Sequence, residues 1–171
     1  PAVTILAPMK DNPHRSFMLW TTTPWSLISN LAITVHPDFE YVVVKDPKQD
    51  DRELVLAKSR VEALLGADIH ILETIKGTDL VGERYTPFYP YFDHLYDQGA
   101  FQVISDTYVS DQNGTGLVSN APSFGEDDER ICLAFGIPTD ACPIDESGHF
   151  TDNVHLFKGM YVKDADKAII K

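Results

Sequence analysis

Asp128 is the residue of this chain whose place in the sequence most strongly requires a partner. In the segment APSFGEDDERICLAFG, residues 121–136, positions 128, 131, 132 and 135 share one face of a helix. Ile131, Cys132 and Phe135 make that face apolar, so the Asp128 carboxylate is expected to point inward with them. A buried carboxylate without a partner is costly. A backbone N–H, a basic side chain or a cationic ligand must therefore meet it, and the sequence leaves these three open.

Three consecutive threonines lie between two tryptophans in WTTTPWSLISN, residues 20–30. Their hydroxyls could position a water or a polar ligand, although a threonine hydroxyl is a poor base at neutral pH. Strand alternation would place Thr21 and Thr23 on one face and Thr22 on the other. A strand that stops at the following proline would also explain the stretch. Trp25 would be either the wall of a pocket or a core residue.

The sequence does not indicate metal chemistry or a familiar catalytic motif. Its six histidines lack a metal-binding spacing such as H-E-x-x-H, and Cys132 and Cys142 form no C-x-x-C pair. The G-x-S-x-G, P-loop and G-x-G-x-x-G patterns do not occur in the sequence either. We therefore expect neither a metal nor a cofactor.

The composition is that of a globular domain with a strong negative charge. The 171 residues are 43% apolar and contain no apolar run of the ~18 residues that would predict a membrane span. Fourteen basic and 26 acidic residues give a net charge of −12, so any contact with nucleic acid should occur at a small site. We expect one domain over residues 1–171, cytoplasmic, without a membrane partner and monomeric when isolated.

The elements that must position these residues are mostly strands. Eight segments are rich in β-branched and aromatic residues and are separated by Pro, Gly, Asp and Asn. They are AVTILA, SFMLWTTT, LAITV, YVVVK, ELVLA, DIHILETI, FQVISDTYV and GTGLV. Helices are predicted over AKSRVEALLG, GEDDERICLAFG and the C-terminal DADKAIIK. This pattern predicts a mainly β fold of the α+β class, a closed or nearly closed β-barrel with a few helices.

Two local signals predict how elements begin and connect. Asn113-Gly114, within DQNGTG, is typical of a tight hairpin and predicts one between the last two strands. Ser123 and Glu126 fit the S-x-x-E capping box and predict the start of the second helix.

Four motifs resemble the editing insertion of isoleucyl-tRNA synthetase, most closely the cytosolic eukaryotic type. They are WTTTPWSLISNLAITVHPDFEYV, KGTDLVGERYTPFYPYF, GTGLVSNAPSFGEDDERICLAFGI and FKGMYVKDADKAIIK, in order along nearly the whole chain. The related valyl and leucyl enzymes carry arginine where this chain has Thr23. The resemblance implies the β-barrel of the Ile/Val/Leu-tRNA synthetase editing domains, excised here from the catalytic domain of a larger synthetase.

The resemblance implies post-transfer editing, the hydrolysis of the aminoacyl ester of mischarged valyl-tRNA(Ile). The partners would be the 3′-terminal adenosine of tRNA(Ile) carrying valine and the remainder of the parent synthetase. Asp128 would hold the substrate's α-ammonium, while Thr21, Thr22 and Thr23 would place the adenosine and a water, and Trp25 would line the pocket. The alternative is a catalytically weakened relative that binds the acceptor end or packs on the synthetase.

The chain departs from this family at Ser119, where relatives carry a histidine that contacts the substrate amino acid and helps to exclude isoleucine. A serine is much smaller, so bulk is removed where isoleucine must be refused. Asn120 follows and could supply polar contacts. We expect neighbours such as Trp25 or Asn120 to close the pocket, because an editing site that destroyed isoleucyl-tRNA would waste the parent's product.

Overall fold

The computed structural model describes residues 3–124, 126–139, 147, 149 and 160. The strands are β1 Val3–Pro8, β2 Arg15–Thr21, β3 Ala32–Val35, β4 Glu40–Asp46, β5 Gln49–Ala57, β6 Ile71–Lys76, β7 Gln102–Ser105 and β8 Leu117–Asn120. The α-helices are α1 Val61–Leu65, α2 Gly77–Leu80 and α3 Glu126–Ala134, and 3-10 helices span Pro24–Ser29, Lys58–Arg60, Pro90–Gln98 and Pro122–Phe124. The prediction of a mainly β chain with few helices is confirmed.

The eight strands form one curled sheet, a half-barrel. Its hydrogen-bonded order is β6-β4-β5-β2-β8-β3-β7, with β1 paired antiparallel to β2. Strand β2 is the centre of this arrangement, because β5 pairs with its first half and β8 pairs with its end at Trp20. The end of β2 therefore lies beside the start of β8, and the threonine stretch continues from that junction.

The hairpin predicted at Asn113-Gly114 is wrong. Strands β7 and β8 do not pair with each other, because both pair with β3, one on each of its edges. The connection between them therefore crosses over β3. The turn itself is real: Gly114 has a φ of +68°, and a Cβ at this position would lie 2.8 Å from the ring of Trp20.

Two of the predicted helices are confirmed, and the third, over DADKAIIK, lies outside the described residues. Helix α1 ends at Gly66, whose φ of +99° suits a glycine after a helix. The capping box predicted for α3 is wrong, because Ser123 belongs to a separate 3-10 turn and Glu126 is the first residue of the helix, not its third. Helix α2 and the aromatic 3-10 segment Pro90–Gln98 were not predicted.

The core is one contiguous apolar cluster, and both faces of the sheet contribute to it, because consecutive residues of β3 and of β4 are buried. Its largest fully buried side chains include Phe17, Leu19, Leu31, Ile33, Tyr41, Leu56, Tyr85, Ile104 and Ile131. Full burial of such a side chain contributes about 1.5–3 kcal/mol, so this cluster supplies much of the driving force for folding. A second, smaller apolar cluster contains Leu27 and Ile28 of the 3-10 turn that follows the threonines.

Candidate active site

The threonine stretch leaves the sheet as a short ladder of hydroxyls. Strand β2 ends at Thr21, whose Oγ1 accepts the backbone N–H of Thr23 at 3.1 Å and lies 3.5 Å from the Thr23 hydroxyl. Thr21 is buried, whereas Thr22 and Thr23 are exposed. The hydroxyls of Thr21 and Thr23 therefore lie side by side, although the strand ends at Thr21 and strand alternation does not extend to Thr23.

Ser26 fixes the direction of the hydrogen bonds in this ladder. Its hydroxyl donates to the Thr23 carbonyl oxygen at 2.7 Å, so its single proton is used there. The contact of 2.9 Å between the Thr23 and Ser26 hydroxyls must then be donated by Thr23. Thr21 is then the donor in the long 3.5 Å contact with Thr23, a proton that a ligand could take over, and Thr23 keeps a lone pair for an acceptor role. The stretch therefore offers groups of both kinds for placing a polar ligand or a water.

Trp25 lies on the 3-10 turn Pro24–Ser29 and is half-buried. It packs with the second apolar cluster, together with Ile5, Phe88, Tyr89, Tyr91 and Met160. The side chain therefore covers apolar surface next to the threonines without being part of the main core.

Strand β8 brings Ser119 and Asn120 next to the threonine stretch. Trp20 pairs with Val118 in a parallel register, so one residue further along, Thr21 and Ser119 are neighbours on the same face. Asn120 points to the opposite face and is fully buried. Its Nδ2 donates to the Thr34 hydroxyl at 3.2 Å, and its Oδ1 lies 3.2 Å from the Cys132 sulfur. Asn120 therefore links β3, β8 and α3, and a direct contact with a substrate stays a prediction.

Helix α3 places Asp128 at the end of β8. Ile131 and Cys132 are buried on its inner face and Asp128 is half-buried, as predicted. The prediction is wrong for Phe135, which is 37% exposed, because the helix ends at Ala134 and the next residue leaves the helical face. One Asp128 oxygen, Oδ2, accepts the backbone N–H of Ala121 at 3.1 Å. Of the three partners that the sequence left open, the structure supplies the backbone N–H.

Burial raises the pKa of Asp128 above its ordinary value. The hydrogen bond from Ala121 opposes this rise, the negative charge of Asp127 adds to it, and a hydrogen bond from the Tyr108 hydroxyl opposes it. In the described part of the chain no salt bridge reaches Asp128, because the nearby Arg130 pairs with Asp106 and Asp127. The carboxylate is thus partly desolvated and held by neutral donors only.

Asn30, Tyr85 and Tyr108 are site residues that sequence reasoning missed. Asn30 is buried, and its Nδ2 donates to Ser119 Oγ at 2.8 Å and to the Ala32 carbonyl oxygen at 2.9 Å. The Tyr85 hydroxyl donates to Asn30 Oδ1. The only signal in the sequence was the polar pair Ser29-Asn30 between Ile28 and Leu31, just before a strand, and nothing connected it to Ser119.

The described part of the chain carries no arrangement that favours metal chemistry. Among the residues described, no three or more His, Cys, Asp and Glu side chains are grouped so that they could bind a metal ion. Over the same residues, no helix combines the length and the apolar character needed to cross a membrane. The candidate site consists of the threonine hydroxyls at the end of β2, Ser119 on the neighbouring strand β8, and the Asp128 carboxylate, which is bonded to Ala121 directly after β8.

The fold is that of the connective-peptide (CP1) editing domains of class I tRNA synthetases. The structure of the leucyl-tRNA synthetase segment GlLeuRS-CP1 matches 99% of this chain and 94% of that chain with a TM-score of 0.71 and 15% identity. The P. falciparum cytosolic leucyl-tRNA synthetase editing domain matches 91% of this chain and 74% of that chain, with a TM-score of 0.64 and 14% identity. At these identities the likeness concerns the fold alone.

Sequence relatives specify which synthetase within that class. No family model matches the chain. Cytoplasmic isoleucine–tRNA ligases match it at 44% identity over 176 residues in Caenorhabditis elegans, 44% over 177 in Mus musculus and 45% over 179 in Saccharomyces cerevisiae. Each match covers 100% of this chain and 14% to 17% of the relative's length. The chain belongs with the editing domains of isoleucyl-tRNA synthetases, which confirms the resemblance of its motifs.

Proposed function

We propose that this chain is the part of an isoleucyl-tRNA synthetase that hydrolyses the aminoacyl ester of valyl-tRNA(Ile). The observation that carries the proposal is Asp128, a half-buried carboxylate that is held by neutral donors directly after the end of β8. A carboxylate in that state attracts a cation. The α-ammonium of an aminoacyl ester is such a cation and is present on every aminoacyl-tRNA.

Asp128 has atoms left for this task. The carboxylate accepts the Ala121 N–H at Oδ2 and a hydrogen bond from the Tyr108 hydroxyl, whereas its two oxygens can accept about four hydrogen bonds. An ammonium that donates to the carboxylate would replace water that burial has already partly removed. The hydrogen bond to Ala121 then orients the carboxylate and does not compete with the substrate.

The threonine stretch would place the ester and a water. An aminoacyl ester is reactive already, so positioning of its carbonyl next to a water supplies much of the catalysis, and no nucleophilic side chain is required. Thr21 would donate and Thr23 would accept, as their hydrogen bonds leave them able to do. Thr22 is exposed and would contact the terminal adenosine from outside the sheet.

The purpose of such a reaction follows from the size of valine. One methylene in a hydrophobic pocket is worth only ~1–3 kcal/mol, a value for which the isoleucyl enzyme is itself the standard example. A synthetic site therefore accepts some valine, and a second site must remove it. The negative charge of this chain fits a part that contacts only the end of the tRNA while the rest of the synthetase holds the tRNA body.

The test is the deacylation of valyl-tRNA(Ile) by the full-length synthetase that carries this chain. Wild type and Asp128→Ala are compared with Asp127→Ala, whose carboxylate is 66% exposed on the same helix turn. We expect hydrolysis by wild type and by Asp127→Ala, and its loss in Asp128→Ala in a protein that still folds. A wild type that binds the acceptor end but does not hydrolyse the ester would identify the catalytically weakened alternative.

A further inference from the structure

Ser119 is held by a buried amide whose orientation the structure fixes. Asn30 is 2% exposed and Tyr85 is fully buried. The Ala32 carbonyl can only accept a hydrogen bond, so the nitrogen of the Asn30 amide, and not its oxygen, must face it at 2.9 Å. The oxygen, Oδ1, then faces the hydroxyl of Tyr85, which donates to it. In a flipped amide, Asn30 Oδ1 would face the Ala32 carbonyl oxygen, and neither oxygen could donate a proton to the other. The observed orientation is therefore the stable one.

The fixed amide decides the role of the Ser119 hydroxyl. The second hydrogen of Asn30 Nδ2 is donated to Ser119 Oγ at 2.8 Å, so Ser119 accepts in this contact. A hydroxyl has one proton to donate, and within the described chain no other hydrogen bond of the Ser119 side chain uses it. Ser119 is therefore an oriented donor, and it shares its face of the sheet with Thr21.

We propose that Ser119 donates a hydrogen bond to an oxygen of the aminoacyl-adenosine, and that Asn30 is the positioning residue that keeps the Ser119 proton available for it. This inference rests on the proposed editing function. The valine side chain has no hydrogen-bond acceptor, so the acceptor is an ester or ribose oxygen. These oxygens are the same whichever amino acid is attached. Ser119 thus binds the part of the substrate that all aminoacyl groups share, and does not select among their side chains.

The first experiment isolates the hydroxyl with a matched pair, Ser119→Thr and Ser119→Val, in the full-length synthetase. Threonine and valine have the same shape and both suit a strand, so the pair differs in the hydroxyl alone. We expect Ser119→Thr to deacylate valyl-tRNA(Ile) more efficiently than Ser119→Val by roughly two- to tenfold, the value of one hydrogen bond. The same factor is expected with alanyl-tRNA(Ile), because the acceptor is shared.

The second experiment reverses the hydrogen bond of the positioning residue. In Asn30→Asp an oxygen replaces the amide nitrogen. The buried carboxyl keeps its proton and donates it to the Ala32 carbonyl, so Ser119 can only donate to that oxygen and its own proton is no longer available to the substrate. With Ser119 present, we expect Asn30→Asp to lower kcat/KM about as much as Ser119→Val does. In a protein that already carries Ser119→Val, adding Asn30→Asp should cause no further loss. A purely structural role of Asn30 would lower activity equally in both backgrounds. If Asn30→Asp does not fold, Tyr85→Phe is tested in the same two backgrounds. We expect a smaller loss in kcat/KM, which again occurs only when Ser119 is present.

The outcomes separate this inference from the proposed function. A wild type that does not hydrolyse valyl-tRNA(Ile) would overturn both. A wild type that does, together with equal kcat/KM values for Ser119→Thr and Ser119→Val, would overturn the role of Ser119 alone. A factor between the two variants that differs for valyl and alanyl substrates would show that Ser119 senses the amino-acid side chain, which also contradicts the proposal.

Discussion

Replacing Asp128 with asparagine should remove editing activity without weakening the fold. Asparagine has the same shape as aspartate and keeps an oxygen that can accept the Ala121 N–H, which the wild-type carboxylate accepts at 3.1 Å. What it loses is the negative charge. Burial raises the pKa of Asp128, so the charged form is disfavoured in the folded state relative to the unfolded state. The charge is therefore a cost to folding and a benefit only to a bound cation.

The sign of the stability effect follows from this pKa. Because the folded-state pKa is raised above the unfolded value, the folded chain binds the proton more tightly, and stability decreases as pH rises through the folded-state pKa. The loss is complete once the pH lies above the folded-state pKa. Asp128→Asn removes it, so the melting temperature at neutral pH should be equal to or higher than that of wild type, and the difference should shrink toward acidic pH.

The loss of activity can be estimated from the contact that disappears. A hydrogen bond between charged groups is worth about 1.5–3 kcal/mol, which corresponds to a decrease in kcat/KM for valyl-tRNA(Ile) of roughly 10- to 150-fold. The assay is single-turnover deacylation by the full-length enzyme, with Asp127→Asn as control. That variant loses only the exposed contact of 3.4 Å with Arg130 and should stay within about twofold of wild type. Deacylation by Asp128→Asn at the wild-type rate would refute the ammonium contact, and a markedly lower melting temperature would show that Asp128 is a structural residue.

Three further predictions test other parts of the structure. Gly114→Ala should destabilise the chain more than Gly82→Ala does. Both glycines have a positive φ, but only at Gly114 would the added Cβ meet a side chain, 2.8 Å from the Trp20 ring. The expected cost is ~1–3 kcal/mol, and equal melting temperatures of the two variants would contradict it. The isolated chain, with its net charge of −12, should bind tRNA weakly, with a slope of log affinity against log salt of magnitude about 2 or less, and tight binding with a steep slope would count against a site limited to the acceptor end. Ser119→His should change the rate on valyl-tRNA(Ile) while both proteins spare isoleucyl-tRNA(Ile), and destruction of isoleucyl-tRNA(Ile) by the serine form alone would show that neighbours do not close the pocket.

Patterns that act over a few residues predicted most of the elements. Strand composition and alternation located the eight strands, and the helical face of α3 correctly oriented Asp128, Ile131 and Cys132. The prediction of a hairpin at Asn113-Gly114 was wrong because the residues of a turn do not determine whether another strand lies between the two strands that it connects. Here β3, from a distant part of the sequence, occupies that place.

Contacts between distant residues could not be predicted from the sequence. Asn30 and Ser119 are 89 positions apart, and Asn30 and Tyr85 are 55 apart, so no local pattern connects them. The partner of Asp128 was equally hidden. The sequence required one, but only the path of the chain from β8 into α3 shows that it is the N–H of Ala121.

In the proposed editing site, Asp128 and Ser119 would act in the same way: the fold binds one part of each polar group, and another part would be left for the substrate. The fold uses Oδ2 of Asp128 to accept Ala121 and the lone pairs of Ser119 Oγ to accept Asn30. Each bond fixes the orientation of its side chain before any substrate arrives, and that reduces the entropy lost on binding. What remains is complementary to an aminoacyl ester: a negative charge for the ammonium and a proton for an oxygen. Changes that remove only the remaining part, such as Asp128→Asn, should therefore spare the fold. Changes to the holding groups, such as Asn30→Asp, should affect fold and site together.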